Sequence, residues 1–298
     1  MSPHSRSLLQ IHFCVVLWGF TAILGKLISL PAATLVWWRV VLVTGALLLV
    51  ARFWKGVRGL SSRLFWIYAG IGVVVALHWL TFYGSVKLAN ASVAATCMAL
   101  IPVFVAFIEP WVAKRPFDAR ELVFGFAVIP GVALVVGGTP GGMRLGIAVG
   151  ALSALLAGVF GSLNKRFIGE SDALTVTGIE MGAGAIVMSL VVPLMLPAAV
   201  WMTLPDSRDA TYLVLLALGC TLLPFALSLV ALRHLSAFTT ALAVNMEPVY
   251  AIVLAILLLG EQRELDPAFY LGVAIILAVV FGHSLLQRWG LPRSTTVV

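Results

Sequence analysis

Ten long apolar stretches fill this chain almost end to end, with short polar connectors between them. They lie near residues 8–28, 33–54, 64–86, 91–113, 119–138, 145–165, 174–196, 209–231, 237–258 and 267–288. A helix rises about 1.5 Å per residue and the hydrocarbon core of a bilayer is roughly 30 Å thick, so each run is long enough to span it. A span must satisfy its own backbone hydrogen bonds, so the runs are expected to be helices. The expected fold class is an all-α membrane protein with ten transmembrane helices.

Composition agrees. Of 298 residues, 61% are hydrophobic and 10% charged, with a mean hydropathy of +1.09. Soluble proteins carry about 25% charged residues. Ten spans use up the chain, so no soluble domain is expected; the longest connector lies around 197–208. The first run is too long for a signal-peptide core and no small-residue cleavage site follows it, so it is read as helix one. Cys14, Cys97 and Cys220 all fall inside spans, so neither disulfides nor a cysteine-rich metal site is expected.

The formal net charge of +7 could suggest nucleic acid, but in a membrane protein it reports orientation. Alternate connectors and the two ends carry Arg6, Arg52, Lys55, Arg58, Arg63, Lys114, Arg115, Arg120, Lys165, Arg166, Arg233, Arg288 and Arg293, thirteen in all. The other side holds five: Lys26, Lys87, Arg144, Arg208 and Arg263. The richer side is expected in the cytoplasm, with both termini.

The chain also resembles itself. Gly19-Phe-Thr-Ala-Ile-Leu-Gly-Lys26 in helix one matches Gly158-Val-Phe-Gly-Ser-Leu-Asn-Lys165 in helix six. Ala91-Ser-Val-Ala-Ala and Ile101-Pro-Val-Phe104 in helix four match Ala237-Phe-Thr-Thr-Ala and Glu247-Pro-Val-Tyr250 in helix nine. A charged turn and one last helix follow in each half, through Lys114 to Glu121 and Glu261 to Asp266. The repeat unit is therefore five helices, at residues 1–142 and 143–298. Five is odd, so directly joined halves must cross the membrane in opposite senses. Inverted repeats are characteristic of many secondary transporters, with a substrate site near midplane between the halves. An old duplication without transport is the plainer alternative.

Trp18-Gly19 with Lys26, the Pro-Val-Phe and Pro-Val-Tyr segments, and the Gly260-Glu261 turn resemble the EamA-type drug/metabolite transporter superfamily over nearly the whole chain. Within it the chain is most similar to bacterial YddG-type exporters of aromatic amino acids. The resemblance implies a ten-helix inverted-repeat fold, with helices 1, 3, 4, 6, 8 and 9 around a central cavity and 5 and 10 outside. It also implies amino-acid export across the bacterial inner membrane. One departure stands out: Lys114-Arg115 occupies the place of Gly260-Glu261 in the first half.

Individual residues point to the same cavity. Tryptophan normally sits at headgroup level, yet Trp18 and Trp79 lie deep in helices one and three. An indole N–H there needs a partner or a wet cavity, and packing against a backbone carbonyl is the alternative. His78 and Phe82 share one helical face, and Trp79 and Tyr83 another, forming an aromatic, polar wall. An intramembrane histidine is a functional candidate, with a carbonyl-bonded structural histidine as the rival. Asn245 and Glu247 lie near the middle of helix nine, where a carboxylate costs roughly 2.5–3.5 kcal/mol. Such an acid must be protonated, paired or wet, so Glu247 is a coupling candidate. Pro102, Pro224 and Pro248 are expected to free the carbonyls of Met98, Cys220 and Val244 for an ammonium group. The candidate substrate site is Trp18, His78, Trp79, Phe82, Tyr83, Met98 and Asn245. Lys26 and Lys165 are expected to snorkel to headgroups, and Arg39, Glu109 and Glu180 to pair or snorkel near span ends. Asn164 tells nothing alone.

No metal, cofactor or catalytic residue is expected. No second histidine, cysteine or acid lies at ligand spacing from His78. Gly19 to Leu27 departs from a P-loop in spacing and in its last residue, and no HExxH or GxSxG motif occurs. The expected partners are a small-molecule substrate, such as an amino acid, and the lipid bilayer, with no nucleic acid; the chain acts as a monomer or homodimer. Alternatives are export of another small metabolite or drug, a membrane-embedded lipid-modifying enzyme, and a passive channel.

Overall fold

The computed structural model describes residues 2–114, 116–117, 123, 125–244 and 246–288. All regular structure among them is helical. In chain order the α-helices are α1 (Pro3–Leu27), α2 (Ala32–Leu48), α3 (Ala51–Arg58), α4 (Ser62–Leu88), α5 (Ala91–Cys97), α6 (Ile101–Ala113), α7 (Ile129–Gly137) and α8 (Arg144–Phe167). They continue as α9 (Ala173–Met195), α10 (Ala198–Trp201), α11 (Ser207–Val214), α12 (Leu223–Leu232), α13 (Ala237–Val244), α14 (Glu247–Leu259) and α15 (Pro267–Arg288).

Among the described residues, six helical segments are long and apolar enough to cross a bilayer: 3–27, 62–88, 91–113, 141–170, 173–195 and 207–232. A seventh arises if α2 and α3, bent by 86°, count as one span. The run expected at 33–54 is thus not one straight helix. After Leu48 the chain becomes extended at Val50, and α3 turns aside with Phe53 buried and Arg52, Lys55 and Arg58 on its other faces. This is the amphipathic pattern of a helix lying at an interface. The expected ninth span is divided into α13 and α14, each too short to cross alone. The expected fifth span at 119–138 lies partly outside the described residues, as do the charges at Arg115, Arg120, Glu121 and Arg293 and the ring of Trp289.

Contacts come in pairs that exchange the two halves. A Cβ on Gly19 of α1 would meet the Tyr250 Cβ of α14 at 2.8 Å, and one on Gly158 of α8 would meet the Phe104 Cβ of α6 at 3.1 Å. The matched glycines of the repeat therefore receive the matched aromatics of the opposite half. Both broken helices interrupt at the same point, α5 passing through a 3₁₀ turn at Met98–Leu100 before α6, and α13 stopping before α14. Lys114 and Gly260, which end α6 and α14, both adopt left-handed backbone conformation, with φ of 53° and 69°. The repeat thus survives in the backbone where the residue types differ.

Helix α7 packs closely on α15. A Cβ on Gly131 would meet the Gly272 carbonyl at 2.7 Å, and one on Gly272 would meet the Gly131 carbonyl at 2.4 Å. Around this pair Val128, Val135, Phe269, Val273 and Ile276 form a core separate from the main one. The main core is built by α1, α2, α4, α8, α9, α12 and the two broken helices, with Tyr68, Tyr83, Leu35 and Ile71 among its fully buried side chains.

Candidate functional site

A cavity of about 130 Å³ lies where α1, α2, α4, α6, α8, α12, α13 and the start of α14 converge. Of the residues expected to form the site, Trp18, His78, Trp79, Phe82, Met98 and Glu247 line it. Phe160 and Phe225 join the aromatic wall, with hydroxyls from Thr21, Ser228 and Thr240, those of Thr21 and Ser228 donating to the Trp18 and Phe225 carbonyls. Tyr83 does not line the cavity. Its fully buried ring lies behind it, against Gly25 of α1. Asn245 lies outside the described residues. The carbonyl of Met98, expected to be free, accepts from the Ile101 N–H in the 3₁₀ turn, so the break at Pro102 is closed locally.

Arg39 is the residue that sequence reasoning misplaced. Expected to pair or snorkel near a span end, it is 2% exposed, two turns inside α2, and lines the cavity. Three partners hold it. Its Nε donates to the Thr221 hydroxyl at 2.6 Å and its Nη1 to the Tyr83 hydroxyl at 2.9 Å. Its guanidinium carbon sits 3.8 Å from the Trp79 ring centroid, a cation–π stack. Thr221 is presented by a π-helical segment, Leu215–Leu222, in which its own hydroxyl donates to the Leu216 carbonyl at 2.6 Å. Such bulges often re-aim a side chain at a functional site. The signal was available: a lone arginine in an apolar run is a functional candidate by default.

Glu247 opens α14 at the helix break and is 7% exposed, on the cavity wall. Arg39 and Glu247 thus bring a guanidinium and a carboxyl group to one small space, and no ion pair joins them among the described residues. Both charge-bearing groups are left able to meet a third party.

His78 is bonded and still lines the cavity. Its Nδ1 lies 2.9 Å from the Ser153 carbonyl, while the Ser153 hydroxyl donates to the His78 carbonyl at 2.9 Å. A carbonyl can only accept, so Nδ1 carries a proton, assigned here from the bonding pattern. The two bonds cross-link α4 to α8.

Glu109 and Glu180, expected to pair or snorkel near span ends, are buried, and so is Glu261 of the charged turn. Glu109 on α6 accepts from the backbone N–H groups of Ala237 and Phe238 at 3.0 and 3.1 Å. Glu261 accepts from Ala91 N–H, Ser92 N–H and the Ser92 hydroxyl at 3.0, 2.9 and 2.6 Å. Glu180 on α9 is fully buried and receives the Asn164 amide at 3.4 Å. Lys165 does not snorkel to headgroups; its ammonium donates to the Leu232 carbonyl at 2.7 Å. Lys26 is exposed.

A family model of EamA-like transporters matches the chain twice, over residues 6–137 and 144–285. The chain belongs to the EamA-like transporter family. One family domain in each half accounts for the paired contacts, and the protein is a multi-pass membrane protein of a transporter family. A solved crystal structure shares the fold at a TM-score of 0.69 and 18% identity, covering 96% of this chain and 98% of that one. No curated protein sequence matches.

Proposed function

We propose that this EamA-family protein is a ten-pass secondary transporter of the bacterial inner membrane that exports amino acids, aromatic ones favoured, by alternating access. The observation that carries the reading is the cavity shared by Arg39 and Glu247. A zwitterion would place its carboxylate on the Arg39 guanidinium and its ammonium group on the Glu247 carboxylate, each as a charge-assisted hydrogen bond. Trp18, Trp79, Phe82 and Phe160 then offer aromatic faces to its side chain. About 130 Å³ is close to a space known to take a benzene-sized guest, so a larger substrate requires the cavity to widen. Glu247 remains the coupling candidate, since it can trade a proton for the substrate's ammonium group. Export and the amino-acid class rest on the resemblance to YddG-type exporters, and cytoplasmic termini on the excess of lysine and arginine on one side. Inverted halves and a crossing by each of the ten runs follow from the five-helix repeat.

Transport of another small metabolite or drug fits the same apolar walls. A lipid-modifying enzyme fits less well. Ser153 Oγ lies 2.8 Å from His78 Nδ1, a nucleophile–base distance, but Ser153 is fully buried and its hydroxyl is already bonded to the His78 carbonyl.

Purified protein in proteoliposomes, loaded with a panel of unlabelled amino acids and given labelled substrate outside, tests the reading. Exchange is expected for aromatic and large apolar amino acids. Exchange of none of them, with the protein folded, overturns the substrate class. Single cysteines at positions 2 and 296 are expected to resist an impermeant thiol reagent in intact cells, and labelling from outside overturns the orientation.

A further inference from the structure

Away from the cavity, Glu180 and Asn164 face each other in the interior. Glu180 is fully buried in α9 and Asn164 is 1% exposed in α8. The Asn164 amide nitrogen donates to one Glu180 oxygen at 3.4 Å. The second carboxylate oxygen and the Asn164 carbonyl oxygen, both shielded from solvent, have no hydrogen-bond partner. Two oxygen acceptors cannot satisfy each other. Turning the amide over does not help, because one carboxylate oxygen still meets the amide oxygen.

Among the described residues, the surroundings supply no counter-charge. Gly72 of α4 packs directly on the Glu180 backbone, where a Cβ would meet the Glu180 carbonyl at 2.2 Å. One turn earlier, the Tyr68 hydroxyl is committed to the Phe167 carbonyl at 2.8 Å. The cations on the neighbouring elements are engaged elsewhere. Arg39 of α2 holds Thr221 and Tyr83, and Lys165 of α8 holds Leu232. Arg233, just past α12, donates to the Ser171 carbonyl, Arg166 to the Val112 carbonyl, and Arg52 of α3 lies beside Asp172. An ionised Glu180 would be a buried charge with no counter-charge and one orphaned oxygen, among the costliest arrangements in a protein.

One proton resolves both orphaned oxygens. A neutral carboxyl donates its O–H to the Asn164 carbonyl while accepting the Asn164 N–H, closing an acid–amide ring of two hydrogen bonds. We propose that Glu180 and Asn164 form a proton-binding site, distinct from the substrate cavity, that is loaded in the conformation seen here. The proton comes from water to Glu180 Oε1 and returns to water when the site opens. Asn164 is one turn from Gly161, which lines the cavity, so a rearrangement at one is felt at the other. Losing the proton sets a carboxylate against the Asn164 carbonyl and weakens the junction of α4, α8 and α9. This use of the site in a transport cycle rests on the function proposed above.

Infrared spectroscopy of the wild-type protein in lipid reads the site directly. A protonated-carboxyl C=O band is expected at neutral pH, lost in Glu180→Gln, kept in Glu247→Gln and shifted in frequency in Asn164→Leu. No such band in the wild type, or one untouched by Glu180→Gln, overturns the proposal in favour of an ionised Glu180. Because the wild-type spectrum needs no variant, a poorly folded Gln protein leaves the test intact. Amino-acid exchange at equal pH on both sides provides the second readout. Raising both pH values is expected to slow the wild type but not Glu180→Gln, whose amide keeps the ring. Equal slowing of both overturns the role in the cycle. Should the wild type exchange no amino acid, the transport reading fails while the infrared result still decides the site.

Discussion

Glu109 and Glu261 perform the same task for opposite halves of the molecule. Each carboxylate accepts the first two backbone N–H groups of a broken helix in the other repeat: Glu109 those of Ala237 and Phe238, Glu261 those of Ala91 and Ser92. The next N–H is taken by the preceding side chain, Ser236 to Thr239 and Asn90 to Val93. The fourth is taken by that residue's carbonyl, through Thr240 and Ala94. All four orphan donors of both helix starts are therefore satisfied by one arrangement used twice. A carboxylate at a helix N-terminus also gains from the helix dipole.

These two acids cap helix starts at opposite ends of the cavity-lining helices, and in the orientation proposed above they fall on opposite sides of the membrane. Glu109→Ala and Glu261→Ala are expected to destabilise the protein by about 1–3 kcal/mol each, since buried N–H groups lose their acceptors. Thermal unfolding in detergent measures this. The variants should also differ in sidedness. With a single reporter cysteine at Ser228, Glu109→Ala is expected to raise labelling from the cytoplasmic side and Glu261→Ala from the opposite side. The same change in labelling for both would show capping without gating.

Lys114 occupies a position built for glycine. Its φ of 53° matches the 69° of its repeat partner Gly260, but a side chain makes left-handed backbone cost about 1–2 kcal/mol. Lys114→Gly is expected to raise stability by roughly 1 kcal/mol, offset in part by the greater freedom of glycine in the unfolded chain. Gly260→Ala should lower it by a similar amount. The two shifts, read from melting of the purified variants, should have opposite signs.

The cavity was legible because polar and aromatic groups deep in a membrane need a reason to be there. That argument singled out Trp18, His78, Trp79, Phe82 and Glu247, which line one cavity, and also Tyr83, which lies behind it; the cavity itself was implied by the family resemblance. Arg39 escaped it because the sequence suggests one long span from 33 to 54. The real helix begins at Ala32 and ends at Leu48, which sets Arg39 deep inside rather than near an end. The two capping acids escaped for a different reason. Aligning Lys114-Arg115 with Gly260-Glu261 finds the equivalent turn but not the equivalent acid, because Glu109 reaches its target from within α6. A repeat conserves the geometry of a helix end more tightly than the residue that caps it.

Arg39 is tuned by shape as well as charge. Lysine in its place keeps the positive charge but cannot hold Thr221 and Tyr83 through separate nitrogens while stacking flat on Trp79. Hydrogen bonds to charged groups contribute about 1.5–3 kcal/mol, so Arg39→Lys is expected to weaken substrate affinity roughly ten- to a hundredfold. Concentration dependence of exchange measures it. An apparent affinity unchanged in the Lys variant would remove Arg39 from the substrate site and leave it a structural tie between α2 and α4.

Glu247 offers the sharpest separation of roles. Glutamine keeps its size and hydrogen-bonding reach but cannot change charge. If Glu247 trades a proton for the substrate's ammonium group, Glu247→Gln should still exchange substrate between equally loaded compartments, at reduced affinity, while accumulation driven by a pH gradient disappears. A purely structural acid gives another pattern: glutamine is tolerated in both assays, and alanine lowers thermal stability by about 1–3 kcal/mol through lost hydrogen bonding at the helix break. Running both substitutions through both assays, beside Glu180→Gln, also tells the two acids apart. Loss of gradient drive together with weakened affinity belongs to the cavity, whereas loss of the alkaline slowing alone belongs to the Glu180–Asn164 pair. Gradient-driven accumulation that persists at the wild-type level in Glu247→Gln would end the coupling role of Glu247.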